Sequence, residues 1–304
     1  MKKLLSTLTF SMICCALLAQ QDPLFTQYRS NMLTVNPAYA GSREALTFNL
    51  LHRNQWVGIE GAPTTQSISV HGPLASDKVG FGLSLINDKV GPTKQAGIYG
   101  DISGRVKVSE KGYLAGGVKV GANFFSSNLT ELTLANRGDG NFAENVNKTM
   151  PNVGVGVYYY SDKFYLGVSV PKIIKNTLYD NGSLDGAVSE KRHAFVNSGL
   201  ILELSPLVKF RPTAMVRMVG GSPLSLDATA TFILDDRFWI GGYYRLSESV
   251  GLLLDYNFTS QLKVGYSYDY TLTELQNYNT GSHEIGVTYD FIFKEKRIQS
   301  PRYF

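Results

Sequence analysis

Polar and apolar positions alternate with a period of two along most of the chain. In residues 282–294, Ile285, Val287, Tyr289, Phe291 and Phe293 fall on one side of an extended backbone, and Glu284, Gly286, Thr288 and Asp290 fall on the other. Successive strand side chains point to opposite faces, so the pattern predicts a strand with one apolar face. Leu262, Val264, Tyr266, Tyr268 and Tyr270 alternate with Lys263, Gly265, Ser267 and Asp269 in the same way. Fourteen such runs lie near 44–53, 63–70, 77–87, 94–108, 112–123, 150–160, 163–170, 191–204, 207–219, 223–234, 236–246, 249–258, 261–272 and 282–294. Strong helical periodicity is absent after the first twenty residues. Most runs have ten or more residues. Globular strands usually have about five or six, whereas a tilted membrane strand needs about nine to eleven.

Two architectures carry such strands: a soluble sandwich with its apolar faces inward, and a membrane barrel with them outward. Strand length favours the barrel, and the links follow the same trend. After even-numbered runs they are short, as at 109–111, 161–162 and 259–260, and after several odd-numbered runs they are longer, as at 54–62, 124–149, 171–190 and 273–281, although two after odd-numbered runs, at 220–222 and 247–248, are also short. Outer-membrane barrels pair short periplasmic turns with longer external loops and have an even strand count. The polar faces also carry charge. Lys209, Arg211 and Arg217 share a face, as do Arg237, Trp239, Tyr243 and Arg245. Inside a sandwich such charges would be costly without partners, while a wet or partly plugged lumen solvates them. Tyr243, Tyr244, Tyr256, Phe258, Tyr268 and Tyr270 stand near strand ends and suit interfacial girdles. The expected fold is all-β: a transmembrane antiparallel up-and-down barrel of about 14 strands, with an N-terminal periplasmic segment at its mouth.

Composition adds a low charge content, 18%, against about 25% in soluble domains. The formal charge of +4, with two of the lysines at Lys2 and Lys3, is too weak and too scattered to suggest nucleic acid. Residues 1–19 read as a signal peptide, with Lys2 and Lys3 ahead of an apolar stretch and a cut after Ala19 or Gln20. Both cysteines, Cys14 and Cys15, lie in that leader, so thiol and disulfide chemistry is not expected afterwards. A lipid anchor at either is the rival reading. The expected organisation is a leader at 1–19, an N-terminal periplasmic segment or plug at 20–43, the barrel at 44–295 and a periplasmic tail at 296–304.

Motif chemistry is sparse. The four histidines, His52, His71, His193 and His283, lack metal-ligand spacing, and no nucleophile elbow, phosphate loop or zincin helix occurs. No cofactor or catalytic residue is expected. Gly116-Gly117 and Gly154-Val-Gly156 sit inside predicted strands, where they relieve crowding or permit bends.

Two stretches carry more than a barrel pattern. QDPLFTQYRSNMLTVNPAYAG, 21–41, is too apolar to hang in solvent and reads as a plug or lid. RNQWVGIEGAPTTQSISVHGP, 53–73, holds an ordered loop in which Trp56, Val57, Gly58, Ile59 and Glu60 form a candidate partner contact, or Trp56 an interface-belt residue. With GFGLSLINDKVGPTKQAGIYGDISGRV and the terminal SPRYF, these stretches resemble the PorP/SprF family of the type IX secretion system. Its diagnostic pieces are Asn36-Pro37-Ala38-Tyr39-Ala40-Gly41 and Gln55-Trp56-Val57-Gly58. The resemblance implies a non-enzymatic barrel in a bacterial outer membrane, associated with gliding motility and the cell surface. Its implied partners are other type IX components and a secreted, adhesin-like cargo with a C-terminal sorting domain. The alternative from the residues alone is a diffusion channel for small hydrophobic or anionic solutes, with Lys209, Arg211 and Arg217 in its lumen.

Overall fold

The computed structural model describes residues 25–74, 77–131, 144–179 and 188–291. The leader with Cys14 and Cys15, the middle of the 124–149 loop, part of the 171–190 loop and the 296–304 tail lie outside the described residues.

The fourteen expected strands are present. They are β1 (Leu46–Asn54), β2 (Thr64–Pro73), β3 (Val79–Val90), β4 (Thr93–Lys107), β5 (Tyr113–Ser127), β6 (Val146–Tyr160) and β7 (Phe164–Val170). Then come β8 (His193–Leu200 and Leu202–Ser205, interrupted at Ile201), β9 (Val208–Val219), β10 (Ser225–Leu234), β11 (Phe238–Arg245), β12 (Ser249–Asn257), β13 (Leu262–Thr271) and β14 (Ser282–Phe291). Each pairs antiparallel with its chain neighbours, and β1 pairs with β14 from Leu46↔Phe291 to Asn54↔His283. The sheet therefore closes on itself and has no free edge. No helix among the described residues is long and apolar enough to cross a membrane.

The alternation sorts cleanly. Phe48, Leu50, Ile68, Ile102, Val118, Val157, Leu252 and Ile285 point outward and are exposed. Thr47, Asn49, Ser67, Ser69, Asp101, Thr231, Ser267 and Glu284 point inward and are buried. An apolar outer band of this kind is what hydrocarbon requires. Outward rings gather toward the two ends, with Phe48, Phe210, Phe232, Phe258 and Phe291 toward one and Tyr244, Tyr268 and Tyr270 toward the other. Tyr243 does not join them. It faces the interior, is buried, and shares a 3.1 Å hydrogen bond with Ser249, because it has the same strand parity as Trp239 and Arg245.

All six links after even-numbered strands are short. The opposite end carries 55–63, 128–145, 171–192 and 272–281, the third of which includes a small hairpin (Thr177–Tyr179 with Val188–Ser189). The link from β3 to β4 is a two-residue hairpin at Gly91-Pro92, and Gly91 takes the positive φ of 54° that such a turn demands.

Candidate functional site

The interior of the barrel is occupied by residues 25–45. Thr26 lies near the long-loop end, where its N–H donates to Glu284 Oε2 at 2.9 Å and the Gln27 N–H donates to Oε1 at 2.7 Å. From there the chain descends. The Leu33 carbonyl accepts from Lys119 Nζ at 3.2 Å, the Val35 carbonyl from Ser169 Oγ at 2.9 Å and the Ala40 carbonyl from Ser103 Oγ at 2.6 Å. Arg43 meets Asp290 at 3.0 Å, close to where β1 begins. The segment thus runs nearly the length of the lumen, deeper than a lid at the mouth.

Local sequence shapes this path. Met32–Val35 forms one helical turn and Pro37–Tyr39 a 3-10 turn. The Asn36 side chain accepts from the Ala38 N–H at 3.0 Å, capping the second turn, and Pro37 fits at its first position. Asn36 also donates to the Val157 carbonyl at 3.0 Å, which fixes the turn to the wall. Asn36, Pro37, Ala38, Tyr39 and Ala40 are all buried, and Gly41 turns the chain with φ of 74°.

The wall is notched to receive them. A Cβ at Gly156 would stand 2.1 Å from Asn36 Oδ1, one at Gly117 2.4 Å from the Ala38 nitrogen, and one at Gly80 2.2 Å from the Ala40 oxygen. The expected relief of crowding at Gly117 and Gly156 is therefore an approach of backbone to wall. Gly116 faces outward into open space.

The filling has two characters. Tyr28, Met32, Leu33, Val35, Ala38 and Tyr39 pack with Ala115, Tyr158, Tyr165, Phe195 and Met215 into an apolar core inside the barrel. The buried Tyr28 phenol shares a 2.9 Å hydrogen bond with Thr213. Beside this core the interior carries neutral hydrogen bonds, such as Asn31 Nδ2 to Ser67 Oγ at 2.7 Å, and ion pairs. Arg29 pairs with Asp255, Arg53 with Asp269 at 2.6 Å and Glu284 at 3.1 Å, Lys119 with Asp101 at 2.9 Å, and Arg245 with Asp227 at 2.9 Å.

Of the basic positions singled out from sequence, Arg211 and Arg217 are buried on the inward face. Lys209 sits at the short-turn end and donates to Asp236 Oδ2 at 2.7 Å. Sequence reasoning did not single out Trp239, Asp255, Asp269 or Lys119 as contacts of the inserted segment. Their inward parity was visible, but their partners were not.

Trp56, Val57, Gly58, Ile59 and Glu60 form the β1–β2 loop at the long-loop end. The Trp56 N–H donates to Ser282 Oγ at 3.1 Å, the Val57 N–H to the Gly281 carbonyl at 2.9 Å, and the Val57 carbonyl accepts from Thr280 at 2.8 Å. Trp56 is half-buried with φ of 49°, while Val57, Gly58 and Glu60 are exposed. Trp56, Arg53, Phe125, Leu178, Glu248 and Asp269 help line a vestibule of about 550 Å³ above the inserted segment. Among the described residues no group of three or more His, Cys, Asp or Glu is placed to hold a metal ion.

Solved structures with similar folds are outer-membrane barrels. One titled "CymD monoaromatic hydrocarbon channel" is 13% identical, has a TM-score of 0.52 and covers 87% of this chain and 93% of its own. A Pseudomonas aeruginosa FadL homologue is 13% identical with a TM-score of 0.48, covering 84% and 93%. The KdgM porin is 9% identical with a TM-score of 0.42, covering 81% and 100%. No curated protein matches the sequence. The family described as type IX secretion system membrane protein PorP/SprF matches residues 17–289. With nearly the whole described chain inside that match and a closed, lipid-faced barrel around it, this protein belongs to the PorP/SprF family of bacterial outer-membrane type IX secretion proteins.

Proposed function

We propose that the barrel is a non-enzymatic component that helps deliver or hold a secreted, adhesin-like surface protein through that protein's C-terminal sorting domain. One observation carries this reading: residues 25–45 fill the lumen and are bonded to its wall at both ends. A diffusion channel needs a continuous aqueous path, and a filled barrel suits a receptor or anchor better. The short-turn end then faces the periplasm and the long-loop end faces outward. There the loop holding Trp56, together with loops 124–149 and 171–190, offers the contact face for cargo. Trp56 is the anchor in this reading, an aromatic side chain on a pinned loop at the rim of a vestibule.

The test is affinity capture of the intact barrel from outer membranes through a C-terminal tag, with mass spectrometry of what accompanies it. A large secreted protein ending in a sorting domain is the expected companion. Planar-bilayer recording of the same preparation should show little current. A barrel that comes down alone and conducts steadily would overturn the proposal in favour of a small-solute channel.

A further inference from the structure

Beneath the vestibule lies a smaller cavity of about 70 Å³, between the inserted segment and the wall. Asp88 and Gln95 line both spaces, so the cavity opens upward into the vestibule. Tyr28, Val35, Ile86, Tyr99, Phe195 and Met215 give it a surface that is mostly carbon. The first two belong to the inserted segment, and the others to β3, β4, β8 and β9. Three charged residues also line it, and each has a partner. Lys119 is 2.9 Å from Asp101, Lys172 is 3.9 Å from Glu190, and Asp88 accepts from Thr65 Oγ1 at 2.5 Å. The Tyr28 hydroxyl bonds Thr213, and the Tyr99 hydroxyl donates to Asn123. The charges are answered within the protein. What the carbon surface lacks is an apolar neighbour to pack against.

Size narrows the occupant. Pockets that enclose a whole small ligand hold about 300–1,000 Å³, and an apolar cavity of about 150 Å³ takes one benzene. At about 70 Å³ this cavity takes less than a ring, a compact branched aliphatic group. Position narrows the source. Residues 25–45 fill the lumen beneath it, so a diffusing solute meets a dead end. Above it the vestibule carries hydroxyl and amide groups, among them Gln55, Thr93, Thr271 and Ser282, which suit a peptide backbone. Building on the receptor reading above, we propose that the cavity seats one aliphatic side chain, of valine or leucine size, on a polypeptide that enters the vestibule from the long-loop end.

The cavity and its use are tested separately. The full chain, with isotope-labelled methionine methyls, is held in detergent under rising pressures of xenon, a small apolar probe. The Met215 methyl signal, identified by its loss in Met215→Leu, should shift saturably. Met218 points outward and should shift only in proportion to pressure. Ile86→Phe fills the cavity from β3 and should abolish the saturable shift. In cells, the same substitution should lower the companion protein captured with the tagged barrel by about tenfold or more, the worth of burying one aliphatic side chain. Leu83→Phe, on the outer face of the same strand, should change neither measurement. A Met215 signal that does not saturate overturns the proposal, as does undiminished capture with Ile86→Phe. A barrel that comes down alone overturns the receptor reading and the polypeptide occupant with it, and a saturable xenon shift in that barrel then assigns the cavity to a free aliphatic molecule. If Ile86→Phe does not give the heat-modifiable folded barrel, Gln95→Phe at the mouth of the cavity decides by the same two measurements.

Discussion

Glu284→Gln should release the inserted segment at its upper end. Both carboxylate oxygens of Glu284 hold backbone N–H groups of that segment, at 2.9 and 2.7 Å, and Oε2 also meets Arg53 at 3.1 Å. Glutamine keeps one acceptor. The other becomes an NH2 facing a buried N–H, and leaving such a donor unpaired costs about 1–3 kcal/mol. Removing one partner of a buried ion pair costs about 3–5 kcal/mol. Arg53 and Glu284 both belong to the wall and Arg53 retains Asp269 at 2.6 Å, so that cost falls on the docked and undocked states alike. The upper end of the donor cost, about 3 kcal/mol, would raise the undocked population about 100-fold. The assay is thiol labelling of Leu33→Cys, a buried position in the middle of the segment, in a chain with Cys14 and Cys15 replaced by serine. Where docking is fast relative to labelling, the rate tracks the undocked fraction. Less than about a threefold change, given the ~100-fold expectation, would refute the claim that this carboxylate secures the segment.

Gly117→Val places a side chain where the Ala38 backbone lies, so the same labelling rate should rise steeply while the barrel still forms. Lys119→Met leaves Asp101 buried without its cation and should lower stability in urea by about 3–5 kcal/mol, whereas the paired change Lys119→Met with Asp101→Leu should recover much of it. Leu252→Arg on the outer face should cost about 2–4 kcal/mol for folding into lipid vesicles, read from equilibrium refolding; a neutral result would mean that this face does not meet hydrocarbon.

The strands were legible because each depends on its own residues. Ile285 and Glu284 announce opposite faces without reference to anything else in the chain. The filling was legible only as a tendency. The run from Phe25 to Gly41 showed that it must be buried, but depth depends on which wall positions face it. Thr26 meets Glu284 across 258 residues, and no local pattern encodes that pairing. The glycines gave half a signal. Gly117 and Gly156 marked crowded positions, yet nothing nearby named Ala38 and Asn36 as the atoms that crowd them. Tyr243 was assigned to a girdle by its aromatic character, while its parity with Arg245 places it inside. The loop from Trp56 to Glu60 was legible as ordered, but its tie to Ser282 was not.

Because the buried segment leads directly into β1, and β1 pairs along its whole length with β14, β1 must wait for a strand more than two hundred residues later in the chain. Side chains as wide as Tyr28, Met32 and Tyr39 are buried against the wall, and the glycine notches leave no spare room around Asn36, Ala38 and Ala40, so the segment is not readily drawn lengthwise through a finished ring. Sealing the seam and enclosing the segment are then one late step in assembly. Pairing ends so far apart carries a heavy loop-closure entropy and makes that step slow. Until it happens the strands form an open sheet with two bare edges, prone to pairing with other chains. Closing the β1–β14 seam removes both edges in the same step that encloses the segment.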